Sequence, residues 1–390
     1  MRLARFCTTC LLSAAVSMFA SCGSWHMSSS LGAGELPSNV ASEEASFSVE
    51  RVTGGLEHPW GMAFLPDGRI LVTERPGRLR LIEADGTLDP TPLEAVPTAF
   101  ARGQGGLLDV ALHPGFNANR LVYLSFSQLG GRGAVTAVAR GTLEENGLAG
   151  TEVIFTSNGQ TSHTRHFGSR LAFDTDGRLW VTHGDRGERD LAQDLKSHAG
   201  SVLRLTDDGG APEDNPFVGQ RGAMPEIYSM GHRNPQGLAI HPATGAIWIH
   251  EHGPRGGDEI NILEAGGNYG WPVVSQGREY ASGRAVGASE AAGMTPAIYI
   301  WDPSIAPSGM AFYDGEAFPE WRGDLFVGAL AYQLLARLEL DGDRVVHEER
   351  LLEDELGRIR DVAVGPNGFL YLLTDEADGG LFRLVPALQP

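Results

Sequence analysis

An alanine flanked by apolar residues, followed by a turn and a second apolar run, recurs six times along this 390-residue chain. The copies are GMAFLPDGRILVTE around Ala63, DVALHPGFNANRLVYLSF around Ala111, RLAFDTDGRLWVTHGD around Ala172, GLAIHPATGAIWIHEHG around Ala239, GMAFYDGEAFPEWRGDLFVGA around Ala311 and DVAVGPNGFLYLLTDE around Ala363. Successive alanines lie 48, 61, 67, 72 and 52 residues apart. The cleanest copies turn at Asp-Gly, Thr-Gly or Asn-Gly, dipeptides that accept the positive φ angles of tight hairpins. Units of this length have room for about four strands each. The chain is therefore expected to be all-β, a six-bladed β-propeller of four-stranded antiparallel blades, with a small residue where the innermost strands crowd around a channel. A β-sandwich with coincidental alanines is the bland alternative, and six recurrences in phase argue against it.

Composition agrees. The 52 glycines and 22 prolines suit many turns, and 42% hydrophobic residues suffice for a large core. A net charge of −19 with no long basic tract argues against nucleic acid and anionic membranes as partners. Residues 1–22 read as an export signal: Arg2 and Arg5 precede a short apolar run ending in FASC. That ending resembles a bacterial lipoprotein signal, with Cys22 as the acylated residue. Phe19 departs from the usual aliphatic residue, which leaves simple secretion as the other reading. Either way the protein is expected to be exported and periplasmic, and on the lipoprotein reading a lipid on Cys22 is its only hold on the membrane. Cys7, Cys10 and Cys22 all fall in this segment, so the mature domain has no disulfide. Residues 23–45 read as a flexible tether and 46–388 as the propeller.

Phase places the unusual polar residues. The loop entering each innermost strand and the loop leaving the second strand open on the same face of a propeller. Gln104, His166, Arg233 with Asn234, DPSIAPS, and Arg358 with Arg360 stand on entering loops; His183, Asp185, His250, HGPRGGDE and Asp375 stand on leaving ones. Asp375 reads equally well as a plain turn residue. Arginine forks match carboxylates or phosphates, so a polyanionic ligand is expected, and a neutral histidine beside it can act as general base. His250 and His252 could face one way and offer a zinc pair, though channel lining is the simpler reading. The carbonyls of GPRGGDEINILEAGGNYGWP, with Asp258 and Glu259, suit calcium better.

The segments GQGGLLDVALHPGF, HFGSRLAF, GHRNPQGLAI, HGPRGGDEINILEAGGNYGWP, SGMAFY, RIRDV and LLTDE resemble, in order, the soluble aldose sugar dehydrogenases that depend on pyrroloquinoline quinone (PQQ), the glucose/sorbosone dehydrogenase family. The resemblance spans about residues 47–386 and implies a six-bladed propeller. It assigns the catalytic base to His166 and a cofactor or sugar contact to Gln104. It assigns PQQ binding to Arg233, Asn234 and Tyr280, and the hold on the cofactor's carboxylates to Arg358 and Arg360. The Gly253 and Pro254 carbonyls match a calcium site of some members; Glu259 and the Tyr269 carbonyl match that of others. The implied reaction removes the anomeric hydroxyl proton of an aldose to His166 and passes hydride from C1 to the quinone. The product is an aldonolactone, and the electrons go to an acceptor outside the chain, a quinone or cytochrome.

One departure is visible. Members commonly carry lysine after GAL or GSL in the fifth unit, whereas this chain reads GALAYQ, with Ala331 in that position and Tyr332 and Gln333 as candidate substitutes. Two other functions compete: a non-catalytic ligand sensor, supported only by Ala331, and a calcium-dependent lactonase. The latter needs a central metal held by carboxylates, where this chain places arginines.

Overall fold

Six antiparallel sheets succeed one another along residues 36–387, the part of the chain described by the computed structural model. The innermost strands are Pro59–Phe64, Leu107–Leu112, Leu171–Phe173, Pro235–Ile240, Pro307–Phe312 and Ile359–Val364, and they begin blades 1 to 6. Each touches the innermost strand of the next blade, and blade 6 returns to blade 1, so the ring closes into a six-bladed β-propeller. Blades 2 to 5 have four strands from consecutive sequence. Blade 1 has three, extended by isolated pairings of Leu79 with Leu93 and Ile82 with Leu88. Blade 6 takes its outer strand, Ser46–Leu56, from the other end of the chain, which latches the ring.

All six repeat alanines lie in innermost strands. Their cross-strand partners are Leu71, Tyr123, Trp180, Trp248, Phe326 and Tyr371, so a small residue on the crowded strand always faces a large one further out. Six apolar clusters fill the six gaps between blades; one example packs Trp248 and Ile260 of blade 4 against Met310 and Leu325 of blade 5. Five innermost strands also carry a register shift in their first half, as between Pro59 and Met62 or Ile359 and Asp361. Bulges turn side chains away from the regular pleat. Here they free the strand entrances, where the polar residues sit.

The export segment 1–22, with Cys22, and residues 23–35 of the expected tether lie outside the described residues. Residues 36–45 place Leu36, Val40 and Ala45 against the cluster between blades 5 and 6, and Val40–Ala41 pairs with the latching strand. Among the described residues no helix is long and apolar enough to cross a membrane.

Candidate active site

The entering and leaving loops meet around a cavity of about 560 Å³ at one mouth of the channel. Its walls include His58, Trp60, Gln104, Asn234, Arg358 and Arg360. Behind Trp60 the guanidinium of Arg170 bridges Asp361 at 2.8 Å and Asp109 at 3.3 Å, and donates to the Gln236 and Arg360 carbonyls. This buried knot ties blades 2, 3, 4 and 6 together. It also puts a cation on the axis, where a lactonase would need a carboxylate-held metal.

His166 stands at a left-handed φ of 56° just before the wall residues Phe167 and Gly168. The tight approach requires glycine at 184, because a Cβ there would collide with the His166 carbonyl. The His166 Nδ1 is 2.6 Å from Asp185 Oδ1, and its backbone N–H donates to Gln104 Oε1 at 2.6 Å. Asp185 also accepts from the Gly187 N–H and from Trp271 Nε1. Burial works against the Asp185 charge, but the hydrogen bonds from His166 and the Gly187 N–H, with the nearby Arg233 charge, outweigh it and hold the carboxyl below its ordinary value. An ionised Asp185 keeps the proton on Nδ1 and leaves Nε2 with its lone pair; among the described residues no protein group bonds Nε2. Burial, above all, lowers the pKa of His166 below the usual imidazole value. The ring is therefore a neutral base at neutral pH.

Across the channel, Arg360 Nη2 is 2.6 Å from Asp375 Oδ2, Arg358 Nη2 is 3.7 Å from the same oxygen, and His58 Nδ1 is 2.8 Å from Oδ1. Asp375 is thus part of the site and not merely a turn residue. With Arg75 and Glu376 also on the wall, three arginines face two carboxylates and leave net positive charge there, and Arg360 Nε is buried without a partner. An anionic ligand fits such a wall. Ala331 lies on it too, beside Leu330, whose carbonyl accepts from Arg358; Tyr332 and Gln333 are not wall residues.

The remaining expected residues divide. Asn234 lines the cavity and accepts from the Gly168 N–H, whereas Arg233 is buried next to it and donates to the His252 and Gly253 carbonyls at 3.0 and 2.7 Å. Tyr280 is two-thirds exposed, off the wall, with its hydroxyl 2.8 Å from the Pro254 carbonyl. Both carbonyls expected at the first calcium site accept one protein donor each, one of them a guanidinium, which leaves each oxygen a single free lone pair. The second fits better. Glu259 faces Glu251 directly across neighbouring strands, and Asn261 Oδ1 is buried with no partner. Burial, and then the charge of Glu251, push the Glu259 carboxyl up to about 8, a penalty that a cation would relieve. Tyr269 stacks on His232, which in turn bonds Glu251.

His250 is wholly buried with neither ring nitrogen bonded, while His252 Nε2 meets the Pro307 carbonyl at 2.6 Å and the ring lines the cavity. Burial drives the His252 pKa down to about 3. Among the described residues no three His, Cys, Asp or Glu side chains cluster as metal ligands.

The mouth of this propeller thus sets a carboxylate-clamped neutral histidine beside an arginine wall, an arrangement suited to moving a proton next to an anionic ligand. Residues 56–383 match the model of the family described as Glucose / Sorbosone dehydrogenase, and the chain belongs to that family. It is 44% identical over 357 residues to the aldose sugar dehydrogenase YliI of Escherichia coli K12, covering 90% of this chain and 96% of that one. A crystal structure of a glucose dehydrogenase superposes with a TM-score of 0.85 at 50% identity, covering 87% of this chain and 99% of the other. The PQQ-bound aldose sugar dehydrogenase of Streptomyces coelicolor gives a TM-score of 0.72 at 30% identity, with 87% and 99% covered.

Proposed function

We propose that this protein oxidises aldose sugars at C1 to aldonolactones, with PQQ as electron acceptor and calcium as its metal. The observation that carries the reading is His166, held neutral by burial and clamped on Nδ1 by Asp185, beside a cavity whose far wall is the Arg358–Arg360 pair. Bound in that cavity, PQQ would supply a two-electron acceptor for the hydride of the sugar. His166 Nε2 takes the proton of the anomeric hydroxyl, and Asp185 stabilises the imidazolium that results. Gln104 fixes the His166 backbone and presents its amide to the sugar. Arg358 and Arg360 hold the cofactor's carboxylates, Asn234 orients its edge, and Arg233, Tyr280 and the Gly253–Pro254 turn support that side of the site. The lactone product is the direct test: chromatography of a turnover mixture should show aldonolactone and its acid, and an unchanged aldose would reject the reading.

Calcium is assigned to Glu259 with the Tyr269 carbonyl. A cation bound at 100 times its dissociation constant stabilises the fold by about 2.7 kcal/mol. Calcium should therefore raise the melting temperature of the cofactor-free protein, and Glu259→Gln should remove most of that rise. An equal rise in both proteins would move the metal elsewhere.

Ala331 forgoes one charged contact to the cofactor. Ala331→Lys is expected to tighten PQQ binding about tenfold or more by calorimetry, since a charge-assisted bond contributes about 1.5–3 kcal/mol. Unchanged affinity would mean that the wall already satisfies the ligand. Export to the periplasm, the acylation of Cys22 and an external quinone or cytochrome acceptor complete the proposal.

A further inference from the structure

The mouth of the channel contains a second histidine–aspartate pair that the mechanism above leaves unused. His58 enters the innermost strand of blade 1 at a left-handed φ of 46°, as His166 does before blade 3. Its Nδ1 is 2.8 Å from Asp375 Oδ1, its side chain is about one-third exposed (32%), and the residue lines the cavity. Among the described residues no protein group bonds its Nε2. A third pair, His232 with Glu251, shows what a purely structural pair looks like here. His232 is fully buried, off the cavity wall, and its Nε2 is taken by Ser229 Oγ at 2.9 Å.

We propose that His58 is a second proton-transfer group, which carries a proton from the reacting site to solvent when the site is returned to its oxidised state. The inference rests on the proposed dehydrogenase reading. In each turnover the sugar loses a hydride from C1 and a proton from its hydroxyl. When the two electrons of the hydride leave for a cytochrome, both hydrogens end as protons in water, and when they leave for a quinone two protons end on the quinol, so in either case the protons must leave the site. His166 has one free nitrogen and takes the first. The second proton, released only when the electrons depart, needs another carrier. His252 also lines the cavity, but its Nε2 is spent on the Pro307 carbonyl, whereas His58 keeps a free Nε2 on a side chain one-third exposed, and its carboxylate is opposite in the ring to Asp185.

The charged groups around His58 suit a carrier. Glu57 is adjacent, Glu376 accepts its backbone N–H, Arg75 donates a backbone N–H to its carbonyl, and Arg358 and Arg360 share Asp375 with it. Glu57 lies on the solvent side, paired with Arg78, while Arg75, Arg358 and Arg360 line the cavity with Asp375 and Glu376. Three arginines against two carboxylates on the cavity side favour a proton leaving toward solvent.

His58→Asn separates transfer from scaffolding, because the asparagine amide can replace the Nδ1–H donor to Asp375 and asparagine tolerates a positive φ. The protein loaded with PQQ is mixed with aldose, and then with dye, in a stopped-flow instrument; PQQ affinity is measured separately by calorimetry. Expected for His58→Asn are unchanged PQQ affinity, reduction by sugar at the wild-type rate, and reoxidation slowed about tenfold or more. His58→Ala should show the same slow reoxidation, restored by added imidazole. Reoxidation at the wild-type rate, or equal slowing of both half-reactions, would overturn the proposal while leaving the dehydrogenase reading intact. No reduction of the wild-type protein by any aldose would overturn both.

Discussion

His166→Ala is expected to lower sugar-dependent turnover by about 10²–10⁴, the usual worth of a positioned general base, with PQQ affinity close to wild type. The ring is only about one-tenth exposed and is bonded on one nitrogen alone, so its removal deletes the base without uncovering a core. The pH profile checks the assignment independently. Burial lowers the His166 pKa below the ordinary imidazole value, so the wild-type rate should rise with pH through an inflection below about 6.5 and stay level through neutrality. The variant should lose that inflection. A variant with the wild-type rate, or an inflection that survives the substitution, would remove His166 from the chemistry.

Asp185→Asn should cost about 10² or more in turnover. The carboxylate receives three donors at once, from His166, Gly187 and Trp271. An amide has one acceptor oxygen, so at least one of those donors loses its partner. If the amide nitrogen faces His166, the imidazole must turn its lone pair toward the amide and its proton toward the sugar, which is the wrong tautomer for a base. Loss of the buried negative charge also removes what stabilises the imidazolium. Turnover should fall while the midpoint of thermal unfolding changes little. A rate within twofold or so of wild type would show that Asp185 only packs the loop.

Local chemistry made much of this legible in the sequence. The repeat alanines and Asp-Gly turns act within a hairpin, and all six alanines do lie on innermost strands opposite large residues. The polar loops were legible for the same reason, since their phase relative to a strand is set by a few residues. Pairings across the ring were not. Nothing near Ser46–Leu56 announces that it will pair with Gly379–Pro386, because the match is a long-range closure between two ordinary strands. Asp185 and Asp375 stood out by position, but which histidine each would clamp depends on how neighbouring loops converge. That Tyr280 lies off the wall was not legible, because the stretch around it has no period from which its path could be read. The donors that Arg233 and Tyr280 place on the Gly253 and Pro254 carbonyls were not legible either, because they come from loops far apart in sequence.

The most direct measurement is dye reduction by the purified protein with an aldose, assayed without additions, with PQQ alone, with calcium alone and with both. The account predicts activity that needs PQQ, is strengthened by calcium, and is lost in His166→Ala. No activity together with no calorimetric PQQ binding would contradict it, and the propeller would then be a ligand-binding relative that keeps the architecture without the reaction.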